Sequence, residues 1–295
     1  MAIMNGLVAV GLDGSAESAA AAHWAAREAL LREVPLHLVH AEEWASPLDL
    51  TPVTSAGMRS QWAEALLRDA ADELHDRYPE LSISTRSLDD RPAKALAAVA
   101  TTSDMLVLGS RGLGALAGFV LGSVGMAVIH STERPIVLVR AGEDAIAHPQ
   151  DCHRDRELVV GVDIGQPCEA LLAFAFEEAS RRSCTLRVLH SWALPPLMGY
   201  GAVYDPRIHA QLDISANAGL DEMLEPWREK YPGVHVAARA TAGHASWQLV
   251  ESGSEAGLII VGRRIRRSSV GAHIGPITHA VLHHARAPVA VIARQ

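Results

Sequence analysis

Lysine is almost missing from this chain: Lys94 and Lys230 stand against 24 arginines among its 26 basic residues. Neither lysine lies in a glycine loop, and GxxxxGK[ST] occurs nowhere, which excludes a P-loop motor or kinase. Cysteine is scarce too: Cys152, Cys168 and Cys184 are an odd number without CxxC spacing. That argues against a disulfide framework and a zinc site, and for a reducing compartment. No apolar run approaches the roughly 18 residues of a membrane helix. Met1 to Val10 has neither a basic leader nor a small-residue cleavage site, so a secretory signal is not expected and the cytoplasm is. Positive charge is not in excess: the net charge of −8 argues against a general nucleic-acid coat. No GxSxG elbow surrounds Ser15, so a hydrolase triad has no support. HExxH is absent as well; His279 and His283 share i, i+4 spacing but lack an acidic third ligand, and read as helix-surface residues.

What is present is ordinary globular material, 295 residues with 49% hydrophobic and 20% charged. At roughly 150 residues per domain, two domains are expected. Self-similarity agrees. Gly11-Leu-Asp13 returns as Gly161-Val-Asp163, and Val39-His40 as Leu189-His190, both 150 positions on. Tyr78-Pro79, Met105 to Gly109 and Arg134-Pro135-Ile-Val-Leu-Val return at an offset of 153. A constant register with one three-residue drift, at a domain-sized period, marks a tandem duplication. The expected domains are 1–141 and 157–295, joined by a linker at 142–156.

Within the first half, strands are expected at about 6–12, 35–41, 81–86, 104–109 and 135–140, and helices at 15–33, 56–77, 91–101 and 123–131. Ser15 opens the first helix, Asp90 is expected to cap the third, and Ala19 to Leu31 is rich in strong helix formers. Leu106-Val-Leu and Ile136-Val-Leu-Val are continuously apolar, as buried parallel strands are. Strand–helix alternation implies an α/β fold with a parallel sheet covered by helices on both faces, repeated from Glu157 to Arg294.

In such sheets ligands sit beyond the carboxyl ends of the strands, at the switch in strand order. Two of those ends carry chemistry. The first strand ends at Asp13, whose carboxylate can accept from a ribose hydroxyl or a base amine. The fourth ends in Gly109-Ser-Arg111-Gly112, nine residues precede Gly122-Ser123, and a helix starts there. Gly109 and Gly112 are expected to let backbone approach a ligand. Gly122 and Ser123 present free helix amides and a hydroxyl, which favour phosphate. An Asp at one strand end and a glycine–serine helix start after another favour a nucleotide site over mere turns and caps.

Asp13 with Gly109-x2-Gly112-x9-Gly122-Ser123 resembles the nucleotide-binding pattern of the universal stress protein family. The resemblance covers both halves, almost the whole chain. It implies two tandem Rossmann-like domains of the adenine nucleotide alpha hydrolase type, each with a five-stranded parallel sheet. It implies ATP as ligand, with or without magnesium. Carried over by position, Asp13 and a base wall of Val39, His40 and Ala41 would hold adenosine, while Gly109, Gly112, Gly122, Ser123 and Val124 would hold phosphates. Arg111, inside the loop, is a further phosphate candidate. His40 and His190 also read as packing residues. The family further implies pairing of final strands across a two-fold axis, here an internal pseudo-dimer with the 135–140 strand against the 288–294 strand. A homodimer of the whole chain is left open, and neither membrane nor nucleic acid is expected as a partner.

The second half departs from the pattern. Asp163, Gly262 and Gly275 are kept, but Ile265 replaces the second glycine and Pro276 the serine. Proline suits the first helical turn but removes an amide and a hydroxyl aimed at phosphate. Weak or altered binding is expected here. Arg263, Arg264, Arg266 and Arg267 crowd the same expected loop, where guanidinium groups can stand in for lost amides. The reading is a nucleotide-responsive regulator of stress survival. A slow ATP hydrolase and a protein-interaction module with vestigial pockets are the alternatives.

Overall fold

The computed structural model describes residues 6–42, 56–110, 122–142, 156–193, 206–265 and 274–294. The chain divides into two compact units, Met1–Cys152 and His153–Gln295. Most of the expected linker, 143–155, lies outside the described residues, as does Cys152.

In the first unit the order is β1 (Val8–Gly11), α1 (Ala16–Arg32), β2 (Leu36–Ala41), α2 (Ala56–Arg77), β3 (Ile83–Leu88), α3 (Pro92–Thr101), β4 (Met105–Gly109), α4 (Ser123–Ser131) and β5 (Ile136–Val139). The strands lie in the order β3-β2-β1-β4-β5, all parallel. β1, β4 and β5 are buried almost throughout, in keeping with sequences that carry no polar side chain. Ser15 is the N-cap of α1, its hydroxyl oxygen accepting from the Ser18 amide at 3.1 Å. The buried face of α1 is mostly alanine (Ala21, Ala22, Ala25, Ala26 and Ala29), so its backbone packs close to the sheet. That closeness defines Gly109. A Cβ there would lie 2.6 Å from the Glu17 carbonyl carbon and 2.7 Å from the Ser18 nitrogen. The glycine therefore makes room for α1, a packing role that the sequence alone did not suggest. Asp90 does not cap α3. The N-cap is Arg91, followed by Pro92 in the first turn, and the Asp90 carboxylate accepts from the Arg91 amide while pairing with Lys94 at 2.8 Å. Proline at the first helical position has no amide, so one of the donors that a helix start leaves unsatisfied is absent.

The second unit repeats the plan with β6 (Leu158–Val162), α5 (Glu169–Arg182), β7 (Leu186–Trp192), α6 (Pro206–Lys230), β8 (Val236–Ala242), α7 (Ala245–Ser252), β9 (Leu258–Arg264), α8 (Pro276–His284) and β10 (Val289–Arg294). Its strands run β8-β7-β6-β9-β10, again parallel. Fine detail is copied as well. Both α1 and α5 end on a residue in left-handed conformation, Glu33 (φ 56°) and Ser183 (φ 52°), whose amide closes the helix. Both carry a buried carboxylate paired four residues on, Glu28 with Arg32 and Glu178 with Arg182.

Candidate functional site

In the first unit the strand order reverses between β1 and β4, and their carboxyl ends open into a crevice. Beyond β1, the Asp13 carboxylate accepts from the Ser15 amide at 3.1 Å and from the Ser15 hydroxyl. The Asp13 amide donates to Ser18 Oγ at 3.3 Å, and that hydroxyl donates to the Ser15 carbonyl. The turn into α1 is thus fastened by its own side chains, and Asp13 is held at the strand end.

Across the crevice α4 begins. Its N-cap is Gly122 in extended conformation, which has no side chain to satisfy the first amides. The first helical bond runs from the Met126 amide to the Gly122 carbonyl, so the amides of Ser123, Val124 and Gly125 precede the ladder. Asp13, Val39, Ala41, Gly109, Gly122, Ser123 and Val124 all line one cavity of about 230 Å³. Leu12, Leu96 and Leu108 supply its apolar walls. Arg111, Gly112 and the loop 113–121 lie outside the described residues.

His40 does not line this cavity. Successive strand residues face opposite sides, so Val39 and Ala41 face the crevice while His40 faces α2. Its ring lies edge-on to Trp62 at 5.3 Å, and its Nδ1 lies 2.8 Å from the Leu12 carbonyl. A carbonyl can only accept, so that nitrogen carries the proton. His190 Nδ1 makes the same contact with the Val162 carbonyl at 3.2 Å. Sequence reasoning overlooked Ser18 of α1 and Leu96 of α3, because a wall given by another element has no local signature.

In the second unit Asp163, Gly262 and Gly275 border a larger cavity of about 580 Å³. Gly275 is the N-cap of α8 and Pro276 its first residue. The Ile265 amide donates to the Arg294 carbonyl at 2.8 Å, and the Thr278 hydroxyl to the Gly262 carbonyl at 2.7 Å. These two donors at the expected phosphate end are therefore used within the fold, while the Ile277 and Thr278 amides still precede the helical ladder. Arg263 and Arg264 are corrected in place: both belong to β9 rather than to a loop, because β9 keeps pairing with β10 as far as Arg264. Arg263 is buried, whereas Arg264 reaches the cavity and donates to Gln166 Oε1 at 2.8 Å. Arg266 and Arg267 lie outside the described residues. Arg294, at the carboxyl end of β10, also lines the cavity and was not foreseen. Burial pushes the Cys168 thiol in its wall upward, so it stays a neutral packing group. His279 and His283 have ring centroids 4.3 Å apart on α8. Among the described residues no group of three His, Cys, Asp or Glu is placed to hold a metal.

Each unit is thus an open, doubly wound α/β domain with a cavity at the switch in its sheet. The chain belongs to the universal stress protein family, whose family model matches residues 4–140 and 156–293. It is 31% identical over 294 residues to Universal stress protein Rv2005c of Mycobacterium tuberculosis, covering 98% of this chain and 97% of the relative. It is 32% identical over 298 residues to Universal stress protein Rv2623 of the same organism, covering 98% and 96%. Among solved structures, a universal stress protein from Archaeoglobus fulgidus matches with a TM-score of 0.71 at 17% identity, covering 99% of each chain. Among the described residues no helix is long and apolar enough to cross a membrane.

Proposed function

We propose that the first unit binds an adenine nucleotide, ATP, at the Asp13 crevice, and that the protein is a nucleotide-responsive regulator of stress survival in the cytoplasm. One observation carries this reading: a strand-end carboxylate and an uncapped helix N-terminus face the same apolar-walled cavity. The amides of Ser123, Val124 and Gly125 suit phosphate oxygens, and the partial positive charge of the helix end adds to their attraction. Val39 and Ala41 suit the flat apolar faces of adenine. Asp13 suits a ribose hydroxyl. Gly112 and Arg111 complete the loop in this reading on their sequence positions. Membership of a family whose curated relatives carry the stress-protein name supports the regulatory role.

Calorimetric titration of the full chain with ATP tests the placement. Asp13→Ala removes an acceptor. Ser123→Pro imposes on α4 the change already found at Pro276, which the first helical turn tolerates. Each variant is expected to lose about ten- to a hundredfold in affinity, the worth of one charge-assisted hydrogen bond. Unchanged affinity in both overturns the placement, and phosphate release from ATP by the purified chain moves the reading to a slow hydrolase.

A further inference from the structure

The second unit's cavity holds an arrangement with no counterpart in the nucleotide pattern. Arg264 and Arg294 are register partners on the adjacent parallel strands β9 and β10. Register partners stand side by side on one face, about 4.8 Å apart along the hydrogen-bonding direction. Both side chains line the cavity of about 580 Å³. Two like charges placed directly opposite each other destabilise a sheet. Elsewhere the unit pairs its guanidinium groups with carboxylates: Arg182 with Glu178, Arg187 with Glu157, Arg228 with Asp221. Among the described residues, Arg264 and Arg294 have no carboxylate within ion-pairing distance. Arg264 is braced by the neutral Gln166 amide. Arg294 Nε is buried without a hydrogen-bond partner. Its Cδ lies 3.1 Å from where a Gly262 Cβ would be, so the glycine leaves room for the side chain across the strand.

The remaining wall decides what kind of anion fits. Val162, Leu171, Leu189, Leu249 and Ile274 give the space an apolar side, while Asp163, His190, Ser191 and Thr278 place polar groups elsewhere in its lining. Pro276 has no amide to offer, and the Ile265 amide and Thr278 hydroxyl are committed to the Arg294 and Gly262 carbonyls. Only the Ile277 and Thr278 amides precede the helical ladder of α8, so a polyphosphate would find fewer backbone donors here than at α4. A single oxyanion between two guanidinium groups, with an apolar body behind it, would satisfy both halves of the cavity.

We propose that this cavity is a second ligand site, selective for a small organic acid whose one terminal oxyanion, carboxylate or phosphate monoester, is gripped by Arg264 and Arg294 while its hydrocarbon body fills the apolar wall. The site is independent of the nucleotide reading of the first unit.

The test is titration of the full chain with octanoate, octyl phosphate and octanol, which share a hydrocarbon body and differ in head group. At least one of the two anions is expected to bind about ten- to a hundredfold more tightly than octanol, the worth of a charge-assisted hydrogen bond. The tighter of the two identifies the head group. Arg264→Gln and Arg294→Gln are each expected to remove most of that advantage while leaving octanol binding as it was, and ATP is not expected to displace the bound anion. Equal binding of the anions and octanol by the native chain overturns the proposal, as does no binding of either anion. That comparison needs no variant, so it stands even if a substitution impairs folding. Displacement of the anion by ATP, or full anion affinity in both folded variants, overturns it equally.

Discussion

Gly109 and Gly262 occupy equivalent positions in the two units, yet their surroundings differ enough for one methyl group to separate them. At Gly109 a new Cβ would sit 2.6 Å from the Glu17 carbonyl carbon and 2.8 Å from its oxygen. Those are backbone atoms of a helix whose alanine face is already packed on the sheet, so nothing can rotate away. At Gly262 the nearest atoms are Arg294 Cδ at 3.1 Å and Nε at 3.3 Å, the flexible part of a long side chain. Neither glycine has a positive φ, so alanine meets no backbone penalty at either site. Replacing such a glycine stabilises by about 0.4–1 kcal/mol through the unfolded chain. Overpacking against fixed backbone costs about 1–3 kcal/mol. Gly109→Ala is therefore expected to destabilise its unit by about 1–2 kcal/mol, and Gly262→Ala to be neutral or slightly stabilising. At about 2–4 °C per kcal/mol for units of this size, calorimetry should show the first unit's transition falling by several degrees and the second's holding. Equal shifts in the two variants would refute the assignment of Gly109 to helix packing.

Three further outcomes follow from other groups. Burial lowers the pKa of His23, and its Nδ1 is enclosed without a partner, so the native state resists the second proton. Native stability is then full above pH 6.5 and falls as the pH descends through the lowered native value, because the unfolded chain binds the proton first; denaturant midpoints at pH 5 and 8 should differ less in His23→Gln. Glu33→Gly and Ser183→Gly should each stabilise by about 0.5–1 kcal/mol, since the left-handed conformation suits glycine, and an unchanged midpoint in urea would count against strain at these caps. Cys168 and Cys184 are buried with thiol pKa values pushed up by burial, so iodoacetamide at neutral pH should modify them only on unfolding, as peptide mass spectrometry would register.

Much of the fold was legible because its signals are local. Ser15 before an alanine-rich run, and unbroken apolar stretches at 106–108 and 136–139, determine helix and strand whatever surrounds them. The asymmetry between Ser123 and Pro276 was legible for the same reason, since a missing amide is a property of one residue. Three features were not. Gly109 reads as a loop glycine until the path of α1 across β4 is known. His40 falls next to two crevice residues in sequence, and only the alternation along β2 turns it to the other face. Arg264 and Arg294 are 30 positions apart, and what joins them is the register of two strands, which no local pattern encodes.

The duplication makes each unit a control for the other. Features that hold the fold recur in both: the histidine contact from the second strand to the first, the buried carboxylate–arginine pair, the left-handed helix stop. Those features belong to the strand and helix frame, although His190 also borders the second cavity, and a change in them would cost stability whatever the ligand. The differences described here gather instead at the carboxyl ends of β4 and β9 and the starts of α4 and α8. There Ile265 stands in place of Gly112, Pro276 in place of Ser123, and β9 carries two arginines beyond Gly262. A frame that does not depend on the crevice for its stability leaves the crevice free to change its ligand chemistry. In the reading proposed for the first unit, charge recognition falls to the amides at a helix end, which suit a chain of phosphates. In the proposal for the second, it falls to two side chains from neighbouring strands, which suit one compact anion. On these two proposals the same α/β frame would support two kinds of anion site, because each would depend on only a few residues at strand and helix ends.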